Sequence, residues 1–191
     1  MSRNLQVFVL LFALLLGSTA LAQTNELAIA GGGQISFNPN SNVGTGVLIE
    51  GSYARRIAYV PTIALYAELP IAAAFKVNSE LPSQISQGDY SSLFITPGLK
   101  LKLVPEAPVS PFFTAGYGWA RFRQEAGSTT PEVVTNTNVA QFGFGTDFKI
   151  GPFVSFRTEI RDYFSGPLQF NSSFTDRQHN IAAVGGIVFR L

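Results

Sequence analysis

From residue 26 onward the chain changes character at every second position. Eight segments of this kind can be marked, at 26–37, 43–54, 57–75, 91–103, 110–122, 138–149, 153–164 and 180–191. In the sixth, Ala140, Phe142, Phe144, Thr146 and Phe148 alternate with Gln141, Gly143, Gly145, Asp147 and Lys149. In the seventh, Val154, Phe156, Thr158 and Ile160 alternate with Ser155, Arg157, Glu159 and Arg161. Side chains on a strand point to opposite faces in turn, so a period of two predicts strands with one apolar and one polar face. The seventh segment also has Phe153, Phe156, Ile160 and Phe164 at helical spacing, but a Gly-Pro link precedes it and alternating segments flank it, so strand is the reading adopted.

An even number of strands near ten residues long is the pattern of a membrane-spanning β-barrel. The connections agree. Those after the second, fourth and sixth segments are short (Arg55-Arg56, Val104–Val109 and Ile150-Gly151-Pro152), and those after the third, fifth and seventh are long and polar (76–90, 123–137 and 165–179). Short turns belong on the periplasmic side and long loops outside. Pro61, Pro111 and Pro152 fall at or near strand starts, where a missing N–H is tolerated. Pro70 and Pro97 fall inside strands, and a bulge or break is expected there. The fold class predicted is all-β: an eight-stranded antiparallel up-and-down transmembrane β-barrel.

The N-terminus refines this. Arg3, the apolar run Val7–Leu16 and the small-x-small ending Ala20-Leu21-Ala22 form a secretory signal peptide over 1–22, leaving 23–191 as the barrel domain. Ten apolar residues are too few for a spanning helix, which needs about 20. Losing Arg3 leaves equal numbers of basic and acidic residues, so no basic field is available for nucleic acid. The absence of cysteine excludes disulfides, thiolate chemistry and a lipid anchor on cysteine. Charged residues make up 13% of the chain, against about 25% in ordinary soluble domains.

These facts assign the faces. Lipid requires the apolar set outside, so the polar set turns into the lumen, which in an eight-stranded barrel is filled by side chains. The inward set by parity is Gln34, Glu50, Glu68, Lys100, Lys102, Gln141, Asp147, Arg157, Glu159, Arg161 and Arg190. The candidate interior charge network is Glu50, Glu68, Lys100, Asp147, Arg157, Glu159 and Arg161. Glu68 and Glu159 are expected to pair with Arg157 or Arg161, and Glu50 to lie nearer Lys100. Inward glycines, including Gly143 and Gly145, leave room for the long arms. With Lys149 opposite Phe153, Gly145 would face Arg157 and Gly143 would face Glu159. Phe37, Tyr53, Tyr59, Phe75, Tyr117, Trp119, Phe148 and Phe189 suit an interfacial aromatic girdle. The inverse assignment gives a soluble lipocalin-like barrel with an apolar core.

The stretches GFGTDFKIGPFVSFRTEIRDYF (143–164), SPFFTAGYGWARF (110–122) and IAAVGGIVFRL (181–191) resemble the small eight-stranded outer-membrane barrels, which include the OmpA-type membrane domain and opacity-type surface proteins. The resemblance covers essentially the whole chain after the signal peptide. It implies location in a bacterial outer membrane, contact with its lipid, and delivery to the barrel-assembly machinery through the C-terminal strand. Many such barrels end in Phe; this chain ends in Leu191, with Phe189 and Ile187 before it. No peptidoglycan-binding domain is expected. The implied role is structural or surface-interacting, with a lumen plugged by charge, at most a narrow pore, and loops free to meet an extracellular ligand.

Little points to catalysis. Some small barrels modify lipid and use a nucleophile with a His base. The single histidine, His179, is read as a solvated loop residue with Ser172, Ser173 and Asp176 nearby in sequence. No residues have metal-ligand spacing, and Gly31-Gly32-Gly33 lacks the Lys and helix of a phosphate loop. No enzyme, cofactor or metal is expected.

Overall fold

The computed structural model describes residues 25–38, 41–77, 90–124, 133–166 and 177–191. The predicted signal peptide and most of the three long connections lie outside the described residues. The strands are β1 (Asn25–Asn38), β2 (Ser41–Val60), β3 (Ile63–Val77), β4 (Tyr90–Ile95), β5 (Gly98–Leu103), β6 (Val109–Gln124), β7 (Val133–Lys149), β8 (Val154–Ser165) and β9 (Gln178–Arg190). All neighbours are antiparallel. β1 pairs with both β2 and β9, and β3 with β2, β4 and β5, so the sheet closes on itself without an edge. Since β4 and β5 are two halves of one stave, the barrel is eight-stranded. Both ends of the described chain meet at the short-turn rim, where Asn25 N–H donates to Leu191 O at 3.1 Å.

The interruption between β4 and β5 is the break expected at Pro97. Pro70 on β3 faces it: Thr96 N–H donates to Pro70 O at 3.3 Å, and Tyr117 N–H to Pro97 O at 3.1 Å. A residue in a strand points its nitrogen and its carbonyl to the same side, so the missing donor of Pro70 falls where the ladder is already open. β3 continues through Pro70 unbroken. Glycines let backbones approach here; a Cβ on Gly118 would lie 2.0 Å from Ile95 O and one on Gly98 2.2 Å from Ala115 O.

Two sequence expectations about connections are corrected. The turn after β2 is Pro61-Thr62, with Val60 opposite Ile63, and not Arg55-Arg56. The strand runs on through the arginine pair because Ile57 is extruded as a bulge between Arg56 and Ala58, and the Arg56 guanidinium lies 4.5 Å over the Tyr59 ring. The strands also extend further toward the long-loop end, β3 to Val77, β7 from Val133 and β9 from Gln178. At the opposite hairpin end of β1–β2, a bulge between Ser36 and Phe37 is matched by Gly44 with φ 135°, a conformation that demands glycine.

The β7–β8 register is also corrected. Lys149 stands opposite Ser155, not Phe153; Asp147 faces Arg157, Gly145 faces Glu159 and Gly143 faces Arg161. Ile150 and Gly151 both donate to Val154 O, at 3.1 and 3.0 Å, which widens the turn. The Phe153 carbonyl accepts Arg190 N–H at 2.8 Å from β9, and the hairpin ladder begins with Lys149 against Ser155. The slip is by two residues, so every side chain keeps its face.

The faces are those of a barrel in lipid. Ile29, Val47, Phe113, Phe142 and Phe144 stand more than half exposed on the outside, while Arg157 and Arg161 are 1% and 0% exposed. A water-soluble barrel needs the reverse. Among the described residues no helix is long and apolar enough to cross a membrane; the crossing elements are strands.

Candidate functional site: the charged lumen

Every inward residue assigned from the sequence is buried: Gln34, Glu50, Glu68, Lys100, Lys102, Gln141, Asp147, Arg157, Glu159, Arg161 and Arg190. They form two clusters along the axis. Near the short-turn rim, Arg157 grips Asp147 with two hydrogen bonds, Nε to Oδ1 at 2.7 Å and Nη2 to Oδ2 at 3.0 Å. Lys102 meets the same carboxylate at 2.6 Å. Glu26 gathers three cations: Lys100 at 2.7 Å, Arg157 at 3.3 Å, and Lys102 in a short contact. Higher in the lumen, Arg161 joins Glu159 across one turn of the pleat and Glu50 at 3.2 Å. Glu68 links the tiers, 3.5 Å from Lys100, 3.9 Å from Arg157 and 3.6 Å from Arg161.

Glu50 therefore pairs with Arg161 and with the Tyr163 hydroxyl, which donates to it at 3.1 Å, and not with Lys100 as the sequence reading expected. Lys100 is held lower, by Glu26 and by the faces of Tyr66 at 5.1 Å and Phe112 at 5.8 Å. Which ends meet across a lumen depends on strand tilt, and parity carries no information about tilt. Glu26 was missed although it shares the even-numbered face of Gln34; continuing that face to the strand's first residues would have found it. With Glu26, the buried charges among the described residues comprise five carboxylates (Glu26, Glu50, Glu68, Asp147, Glu159) and five bases (Lys100, Lys102, Arg157, Arg161, Arg190). Such balance is needed because an unpaired charge in this confined space costs several kcal/mol.

Toward the long-loop end the lumen becomes aromatic. Phe94 stacks on Tyr163 at 4.4 Å and meets Phe122 edge-on at 5.7 Å, with Leu48, Val139 and Val184 around them. Above these, Gln34, Ser36, Gln178 and Asn180 form a hydrogen-bonded lid, with Ser36 Oγ to Asn180 Oδ1 at 2.8 Å. At the other rim, the space bounded by Glu26, Arg56, Tyr66, Pro105, Glu106 and Arg190 amounts to about 10 Å³, room for a single water at most. Because Tyr163 joins the aromatic tier to the charged one, Tyr163→Phe should cost about 1.5–3 kcal/mol, the worth of a hydrogen bond to a charged group. A lowered midpoint of urea unfolding in lipid vesicles checks this.

His179 is not an isolated loop residue. It stands on β9, facing outward, with Nδ1 2.8 Å from Asp162 Oδ2 and its ring stacked 5.2 Å from Phe37 and tilted against Phe164 at 4.6 Å. It ties β1, β8 and β9 together at the long-loop end. Ser172, Ser173 and Asp176, weighed with it in the sequence, lie outside the described residues. Among the described residues no group of His, Asp and Glu could hold a metal ion.

A closed eight-stranded barrel with an apolar exterior and a charge-filled lumen is the architecture of the small outer-membrane barrels. Solved structures of that class share this fold. Neisserial surface protein A matches with a TM-score of 0.65 at 12% identity, over 90% of this chain and 100% of that one. The outer membrane protein OprG of Pseudomonas aeruginosa matches at 0.57 and 9% identity, over 89% and 97%. The N-terminal β-barrel domain of OprF from Pseudomonas aeruginosa matches at 0.55 and 11% identity, over 90% and 100%. The sequence matches no protein-family model and no curated protein.

Proposed function

We propose that this chain is a non-catalytic, closed barrel of the bacterial outer membrane, which anchors its long loops at the cell surface and conducts no solute at a steady rate. The observation that carries the reading is the filled lumen. Among the described residues nine buried charges are joined in ion pairs around Glu26, Glu68, Asp147, Arg157 and Arg161, and the Phe94–Phe122–Tyr163 tier lies above them. A hydrated ion would have to replace several charge-assisted hydrogen bonds at once to pass. The apolar exterior and the likeness in fold to outer-membrane proteins support the location. Pairing of β9 with β1 closes the barrel, so recognition of the C-terminal strand by the assembly machinery precedes closure in this reading.

Fractionation should place the protein in the outer membrane, with faster gel mobility before boiling than after. In planar bilayers the purified protein should give no steady conductance. Recovery from the soluble periplasm would overturn the location, and large steady currents would overturn the plug.

A further inference from the structure

The balance of five carboxylates and five bases holds for the lumen as a whole but not along its axis. Arg190 stands apart at the short-turn rim, where it donates to Ser155 Oγ and borders the water-sized space with Arg56 and Glu106. Among the described residues, the lower tier then sets Lys100, Lys102 and Arg157 against Glu26, Glu68 and Asp147. The upper tier sets Arg161 alone against Glu50 and Glu159. One carboxylate is in excess there, and both are buried. A second full negative charge beside one guanidinium is costly in a space that excludes water.

The two carboxyl groups differ. Glu50 is served on both oxygens: Arg161 Nη2 lies 3.2 Å from Oε1, and the Tyr163 hydroxyl donates to Oε2 at 3.1 Å. Glu159 accepts Arg161 Nε–H on Oε1 at 2.9 Å, but its Oε2 has no hydrogen-bond partner, in a side chain that is 1% exposed. An ionised carboxylate only accepts, whereas a carboxylic acid carries a donor on one oxygen. The strands flanking β8 bring no charge to this point, since Gly145 and Val184 are the ladder partners of Glu159. The other charges facing it are Glu68 from β3 and Arg157 from β8, which are engaged in the lower tier.

We propose that Glu159 is a proton-binding site: its carboxyl holds a proton on Oε2 in the folded barrel at neutral pH, while Glu50 beside it is ionised. A proton meets the deficit of positive charge without needing a cavity. The site makes the closed barrel proton-dependent. Removing the proton leaves a charge without a partner in the upper tier, so the stability present while Glu159 is protonated is lost as rising pH strips it. The site rests on the closed lumen proposed above. Conductance tests that closure and the measurements below test the proton, so either can fail alone.

The mature protein is folded into phosphatidylcholine vesicles and followed by infrared spectroscopy and urea unfolding. At neutral pH the parent should show the carbonyl band of an un-ionised carboxylic acid, and Glu159→Gln should lack it. Because Gln reproduces the neutral carboxyl, Glu159→Gln should keep the parent's urea midpoint at neutral pH. Glu50→Gln should lower it, because Glu159 must then ionise with no donor for Oε2. As the pH is raised into the alkaline range, the parent's midpoint should fall more steeply than that of Glu159→Gln. No acid band at neutral pH would overturn the site, as would a band that remains in Glu159→Gln. A midpoint lowered by Glu159→Gln and kept by Glu50→Gln would move the proton to Glu50 and overturn the assignment. A midpoint that rises with sodium but not with choline at fixed pH would overturn it too, by showing that a metal cation supplies the charge.

Discussion

Arg157→Met should destabilise the barrel by about 3–5 kcal/mol, the cost of breaking a buried ion pair by removing one partner. Arg157 is the cation with the most acidic contacts near the short-turn rim: it holds Asp147 through two hydrogen bonds, reaches Glu26 at 3.3 Å, and lies 4.6 Å over the Phe112 ring. Without it the lumen keeps five carboxylates against four bases. Water cannot easily repair the excess, because the surrounding residues fill the space. The companion variant Arg157→Met/Asp147→Leu restores the balance and leaves Lys102 its partner Glu26. It should therefore recover most of the loss, since replacing a whole buried pair by apolar groups is often neutral or better. Urea unfolding in vesicles, followed by gel mobility, checks both. A single variant as stable as the parent would show that the network does not hold the barrel closed.

Gly145→Leu should cost at least about 3 kcal/mol or prevent folding, the upper range for forcing atoms into a filled interior. A Cβ there would come within 2.4 Å of Thr158 O and 2.5 Å of Phe112 Cζ. The backbone oxygen cannot turn away, and the Phe112 ring, 1% exposed, has no free space to enter. The neighbouring Phe144→Leu should change stability by no more than about 0.5 kcal/mol, because Phe144 is 57% exposed to the lipid side. Comparing folded yield and urea resistance of the two variants tests the face assignment itself. The space above Gly145 is taken by Phe112 and not by the arms of Arg157 and Glu159 that the sequence suggested; Glu159 lies over Gly143 instead, with Oε1 3.2 Å from where a Cβ would sit.

Alternation by itself determined the strands, their closure into a barrel, and the face on which Glu50, Glu68, Lys100, Asp147, Arg157, Glu159 and Arg161 lie. That is because a side chain's face depends only on odd or even position, and lipid outside leaves the polar set a single place to go. Only the tertiary structure decided what each charge touches. A shift of two residues keeps every face, so the sequence could not separate Arg157 opposite Gly145 from Arg157 opposite Asp147; the second goes with the turn in which Ile150 and Gly151 both donate to Val154 O. Strand tilt carried Glu50 to Arg161 and Lys100 to Glu26 across the lumen. The bulge at Ile57 moved a turn six residues beyond the arginine pair that looked like one, and closure of β9 on β1 and β8 turned His179 from a loop residue into a clamp on Asp162 between two phenylalanines. Contacts of this kind join residues far apart in the chain, and their geometry exists only once the sheet has closed.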